Sequence, residues 1–127
     1  MVSIVVVSHS KILAEGVVEL AKMMAKDALI FSAGGMEDGS LGTSFDLILD
    51  VVSKNYSDDG VAIIMDIGSA VLTTEMVLEA MPDKKIKMLD CPIVEGAIMA
   101  ALESQLGSSL EKIAQKVQEI REMHKID

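Results

Sequence analysis

Val2-Ser3-Ile4-Val5-Val6-Val7-Ser8-His9-Ser10 opens the chain with a short β-branched run that stops at a histidine held between two serines. Bounded in this way, the run reads as a buried strand, and His9 stands where that strand gives way to a loop. A free imidazole titrates near ~6.5, so at neutral pH the ring is largely neutral and nucleophilic. His9 is therefore placed for chemistry; the plainer reading is a strand-end ring that caps a turn.

Working outward, apolar runs at about 2–7, 28–33, 61–65 and 86–89 alternate with longer segments of helical period. That alternation predicts an α/β fold, a parallel four-stranded sheet with about five helices on its two faces. The first helix carries Ile12, Leu13, Val17, Leu20, Ala21 and Met24 at three- and four-residue steps, an expected core stripe, with Ser10 as its N-cap. The second is expected over about 44–55, capped by Thr43, with Asp46 three residues on. Ser69 to Met81 reads as a helix stopped by Pro82. Ile93 to Leu106 follows the Cys91-Pro92 break and ends at Gly107, and a terminal amphipathic helix starts at Ser109. No linker, repeat or low-complexity tract interrupts residues 1–127, which predicts one domain.

Composition narrows the function. The net charge is −9, and no cluster of Lys and Arg is available for nucleic acid or an anionic membrane surface. Cys91 is the only cysteine, so neither an internal disulfide nor a cysteine-built zinc site is expected. With two histidines and no metal-ligand spacing, no metal is predicted. No signal-peptide pattern and no apolar run near the ~18 residues of a membrane span is present, which predicts a cytoplasmic protein. The aromatics are only Phe31, Phe45 and Tyr56, so the ten methionines are expected to fill core gaps, with Met36 in a Gly-rich loop as the exception.

In a parallel sheet all strand-to-helix loops emerge at one edge, where ligands bind in such folds. Ser8-His9-Ser10, the stretch from Gly34 to Thr43, and Asp66-Ile67-Gly68-Ser69 then share that edge. If the strand order is 2-1-3-4, strands 1 and 3 are neighbours and His9 faces Asp66 across the topological switch point. A carboxylate there fixes the imidazole tautomer, frees the other ring nitrogen for attack, and offsets the cationic ring that forms. Helix starts after His9 and Asp66, with Gly68 and Ser69, aim backbone N–H groups at an anion, which makes phosphoryl the fitting electrophile. Ser8, Ser10, Thr43 and Ser69 are candidate hydroxyl donors, or simply cap and turn residues. The Gly-rich loop has no P-loop lysine, and Glu37 and Asp38 repel phosphates, so no nucleotide cofactor is expected. That loop reads either as a connector or as a protein-docking lid. His124 is expected to be a solvated residue near the end of the last helix.

Ile4-Val5-Val6-Val7-Ser8-His9-Ser10, Gly39-Ser40-Leu41-Gly42-Thr43-Ser44 and Ile64-Met65-Asp66-Ile67-Gly68-Ser69-Ala70 resemble the mannose-type IIA domains of the phosphoenolpyruvate-dependent phosphotransferase system. The resemblance implies that His9 is the phosphoryl acceptor, as a transient tele-phosphohistidine, and that Asp66 supports it. Sugar-transport members tend to carry Thr-His-Gly and Gly-Gly-Ser-Pro where this chain has Ser8-His9-Ser10 and Gly68-Ser69-Ala70. Those differences favour the branch that serves dihydroxyacetone kinase in glycerol metabolism. There the implied donor is the phosphocarrier HPr, and the acceptor is ADP on the nucleotide-binding subunit of the kinase, whose ATP then phosphorylates dihydroxyacetone on the substrate-binding subunit. A homodimer is implied as well. Met36 and Leu41 are the candidate apolar contacts to partners, with Glu37 and Asp38 as steering charges; Ser10, Thr43, Gly68 and Ser69 are the candidate phosphoryl-binding set. The alternatives are a sugar-transporter IIA subunit, a receiver-like signalling domain phosphorylated on Asp66, and a non-catalytic interaction module.

Overall fold

The β-branched run forms its strand one residue later than its apolar limits suggest: β1 spans Ser3–Ser8, and all six residues are buried. The computed structural model describes residues 1–127. After β1 come α1 (Lys11–Met24), β2 (Ile30–Gly34), α2 (Phe45–Lys54), β3 (Val61–Met65), α3 (Gly68–Ala80), β4 (Ile86–Leu89), α4 (Ile93–Gln105) and α5 (Leu110–Ile120). The strands make one parallel sheet of order β2-β1-β3-β4, the order expected from the sequence.

Alternation along the strands divides the core in two. Ile4 and Val6 of β1, with Ala62 and Ile64 of β3, face α1, α4 and α5. Val5 and Val7, with Val61 and Ile63, face α2 and α3. Each buried Val or Ile contributes about 1.5–3 kcal/mol, so the two central strands are the most firmly held part of the chain. Register is fixed by the same pattern, with Val7 opposite both Ala33 and Met65. The ends of β1 and β3 are thereby brought level.

Three expectations need correction. The face of α1 that packs is Ala14, Val17 and Ala21, whereas Ile12, Leu13, Leu20 and Met24 are exposed. Periodicity identifies one broad apolar arc, but only the part lined by small residues lies against the sheet. None of the ten methionines is buried. Alanines at 14, 21, 97, 100 and 101 let α1 and α4 pack closely, and only Met65, Met81 and Met99 pack against the core, each partly buried at its margin. The N-cap of α2 is Ser44, whose hydroxyl accepts from Leu47 N at 3.1 Å; Thr43 lies one residue before it. His124 is exposed, as expected, but lies past the end of α5 at Ile120.

Candidate functional site at the ends of β1 and β3

β1 ends at Ser8 and β3 at Met65, so the next residues, His9 and Asp66, leave neighbouring strands side by side. His9 Nδ1 lies 3.0 Å from Asp66 Oδ1, and the His9 backbone N–H donates to Asp66 Oδ2 at 3.0 Å. Ser8 Oγ also donates to Oδ2, at 2.9 Å, and Ile67 N–H donates to Oδ1 at 2.7 Å. The carboxylate therefore receives four hydrogen bonds, two on each oxygen. Burial pushes its pKa up, but the donors from His9, Ser8 and Ile67 outweigh that, and the carboxyl sits below its ordinary value. An ionised carboxylate only accepts, so Nδ1 of a neutral His9 carries the ring proton and Nε2 presents its lone pair.

Nε2 is met by Ser69 Oγ at 2.5 Å. Ser69 is the second residue of α3, after Gly68, and the α3 N-cap, Ile67, supplies no side-chain bond to the first turn. Uncapped first-turn amides and the helix dipole favour an anion at this point. The line Asp66, His9, Ser69 thus combines a fixed tautomer, a bare nucleophilic nitrogen and a hydroxyl beside it. A phosphoryl group is the electrophile such a line can accept and hold.

The remaining candidates take varied places. Ser10 Oγ accepts from Leu13 N at 3.1 Å as the cap of α1. Thr43 Oγ1 pairs with Thr73 Oγ1 at 2.9 Å, joining the Gly-rich loop to α3 one turn beyond Ser69. Ser8 is fully buried with its hydroxyl on Asp66, so it is not a donor to a bound anion. Asp66, with both oxygens saturated, is badly disposed to be the acceptor itself, which weighs against a receiver-like mechanism.

Backbone bonds tie the Gly-rich loop to the site. Gly35 N–H donates to Ser8 O at 3.0 Å, and Gly42 N–H to His9 O at 2.8 Å. Gly42 has φ +138, and a Cβ there would sit 3.0 Å from Met36 Sδ, so the loop closes on the Met36 side chain. Leu41 is 79% exposed and Met36 38%. Glu37 accepts from Ser44 Oγ at 3.2 Å, and Asp38 from both the N–H and the hydroxyl of Ser40. The Ser40 hydroxyl is the main reason that the Asp38 carboxyl lies below its ordinary value. Glu37, Asp38 and Asp46 line an open depression of about 510 Å³, large enough for a small ligand but of the wrong charge for a nucleotide.

Sequence reading overlooks the exposed apolar residues Ile12 (83%), Ile67 (62%) and Leu72 (66%). With Leu41, each lies within three residues of His9 or of a residue bonded to it. Ile12 reads as a core residue from its spacing, and Ile67 and Leu72 carry no signal beyond their apolarity. Thr73 stands four residues after Ser69, a spacing that puts both on one face of α3. Cys91 is half-buried, and burial, with the Asp90 charge, raises its thiol to about 11, which leaves it unreactive at neutral pH.

Comparison with known proteins bears on the family and the fold. The family model EIIA-man, described as the fructose IIA component of the phosphotransferase system, matches residues 3–114. The phosphoryl donor subunit of PEP-dependent dihydroxyacetone kinase 2 from Listeria innocua is 40% identical over 121 residues, covering 92% of this chain and 97% of that one. The phosphotransferase subunit of the PTS-dependent dihydroxyacetone kinase of Lactococcus lactis is 33% identical, with 92% and 94% covered. This chain spans 25% of the corresponding Escherichia coli subunit, at 33% identity. Among solved structures, a protein of unknown function aligns with TM-score 0.84 and 31% identity, over 96% of each chain. The EIIA component from Streptococcus agalactiae shares the fold at TM-score 0.75 and 16% identity, over 100% and 97% of the two chains. With a parallel sheet of order β2-β1-β3-β4, its His9 and Asp66 at the switch point, and a family match over residues 3–114, the chain belongs to the mannose-type IIA family of the phosphotransferase system.

Proposed function

We propose that this protein is a phosphohistidine carrier that accepts a phosphoryl group on His9 Nε2 from phospho-HPr and delivers it to ADP on the nucleotide-binding subunit of dihydroxyacetone kinase. The observation that carries the reading is the Asp66–His9–Ser69 line, with Nδ1 3.0 Å from the carboxylate and Nε2 2.5 Å from the Ser69 hydroxyl. Support for the particular kinase comes from relatives named as its phosphoryl donor subunits.

In the first transfer the Nε2 lone pair forms a bond to phosphorus as the donor's own bond to phosphorus breaks, its electron pair returning to the donor. Asp66 holds the proton on Nδ1 and offsets the positive charge that the ring acquires. Ser69 Oγ turns from Nε2 to the phosphoryl oxygens, which the first-turn amides of α3 also meet, and Ser10 and Thr43 stand at the rim of the same group. In the second transfer a terminal oxygen of ADP attacks, the N–P bond breaks, and the lone pair returns to Nε2. No nucleotide is held on this chain, in keeping with the acidic lining of its loop depression.

Partners approach the open edge. Leu41 and Met36 supply apolar contacts and Glu37 and Asp38 steer association, with Ile12, Ile67 and Leu72 extending the apolar rim. The 1–127 chain works as one domain in the cytoplasm and pairs as a homodimer. No helix is long and apolar enough to cross a membrane. Reconstitution tests the pathway: phosphoenolpyruvate, enzyme I, HPr and both remaining kinase subunits form dihydroxyacetone phosphate only when this chain is added. Formation at the same rate without it, or delivery to a sugar-transport component instead, contradicts the proposal.

A further inference from the structure

Ser8 is a polar residue at the end of a strand whose other buried side chains, Ser3 apart, are Val and Ile. Its side chain is fully buried, and its hydroxyl is used twice: it donates to Asp66 Oδ2 at 2.9 Å and accepts from Ser10 N–H at 3.0 Å. Its backbone is pinned as well, because Ser8 O accepts from Gly35 N–H at 3.0 Å. The hydroxyl oxygen is thus fixed by the chain that follows His9, and its proton is aimed at the carboxylate.

Of the four donors to Asp66, two are backbone N–H groups that the fold supplies in any case, and one is the His9 ring itself. Ser8 Oγ is the remaining one, and the only donor that a side-chain substitution can remove without touching the reacting ring. Without it, Oδ2 keeps only the His9 N–H, each carboxylate oxygen is left with one backbone donor, and the orientation of the carboxylate toward Nδ1 is held less tightly. A neutral imidazole that loses its partner on Nδ1 moves its proton toward Nε2, the nitrogen that must be bare.

We infer that Ser8 is a positioning residue that orients the Asp66 carboxylate and thereby fixes the His9 tautomer with Nε2 unprotonated. The inference rests on His9 as the reacting group, but its test does not. The 15N shifts of the His9 ring, measured on the whole protein with no phosphoryl donor present, report the tautomer directly. Wild type gives the Nδ1–H form; Ser8→Ala raises the Nε2–H form, and Ser8→Thr, which keeps the hydroxyl, restores the wild-type spectrum. Ser8→Cys fills the space at least as fully with a weaker donor and gives an intermediate shift, which separates loss of the hydrogen bond from loss of packing.

Phosphoryl acceptance slows by about tenfold or more in Ser8→Ala, the loss expected for one hydrogen bond to a charged group. In an Asp66→Asn background the same substitution changes the rate by less than about twofold, because two residues acting through one contact are not additive. A Ser8→Ala ring that keeps the wild-type tautomer overturns the inference. So does a Ser8→Ala effect of equal size with and without the Asp66 carboxylate. If the phosphoryl group maps to a residue other than His9, the proposed function fails, while the ring spectra still decide the role of Ser8.

Discussion

At the scale of single residues, the proposed mechanism divides the work between His9 and Asp66: one carries the nucleophilic nitrogen, the other controls which nitrogen that is. Asp66→Asn keeps the size of the side chain but presents an amide that can donate to Nδ1 and hold the wrong tautomer. The variant is expected to fold and to transfer phosphoryl about 10²–10⁴ times more slowly, measured by rapid-quench acceptance from phospho-HPr. Acid stability checks the same carboxylate. Its folded pKa lies below the ordinary ~3.9, so its contribution is complete above that value and disappears as pH falls through the lowered one. In a His9→Gln background, which removes titration of the ring, the stability advantage of the native Asp66 over its Asp66→Asn replacement in urea melts is expected to shrink as pH falls below about 4. An advantage that stays constant or grows contradicts the donor count. The strand-end position of His9 and the loop-entry position of Asp66 are readable from residue types alone. The hydroxyl of Ser8 is not, because a serine beside the histidine looks the same in sequence whether it faces an incoming anion or a buried carboxylate.

At the scale of elements, the site depends on β2 and the Gly-rich loop as much as on the strands that bear the reacting groups. Gly34 ends β2 directly beneath the start of α1: a Cβ there would lie 2.6 Å from Ser10 O and 2.7 Å from Ala14 Cβ. Gly34→Ala is expected to cost about 1–3 kcal/mol in chemical denaturation and to slow transfer, because relief of the clash moves the Ser10-Lys11 turn that follows His9. Unchanged stability means that α1 is free to shift without penalty. The loop separates two kinds of contact. Neutralising Glu37 and Asp38 is expected to slow transfer from HPr chiefly at low salt, whereas Met36→Ala weakens it at every salt concentration. If neither change alters the rates, the loop is a connector only. The glycines locate this loop in the sequence, but its attachment to His9 through Gly42 N–H is not legible there, since a backbone bond leaves no mark on residue type. Thr43 reads wrongly as the α2 cap for a related reason: Thr43 and Ser44 are both good caps, and only the backbone turn decides between them.

For the whole molecule, alternation of apolar runs with helical segments is enough to give a parallel sheet covered on both faces, while the order 2-1-3-4 goes with the family resemblance. Which apolar faces stay uncovered is not legible: the arc on α1 is continuous in sequence, and only packing divides Ala14, Val17 and Ala21 from Ile12, Leu20 and Met24. The uncovered part agrees with association between copies, and sedimentation at micromolar concentration is expected to return a dimer; a monomer throughout that range rules the pairing out. The uncovered rim around His9 fits a carrier that meets protein partners in turn at an open edge. The most direct measurement is incubation with phosphoenolpyruvate, enzyme I and HPr, followed by intact mass and site mapping of this chain. The expected result is the gain of one phosphoryl group on His9, lost in mild acid, stable in alkali and absent from His9→Gln. A phosphoryl group that persists in His9→Gln, or one on Asp66 that is released by hydroxylamine, contradicts a carrier built on His9.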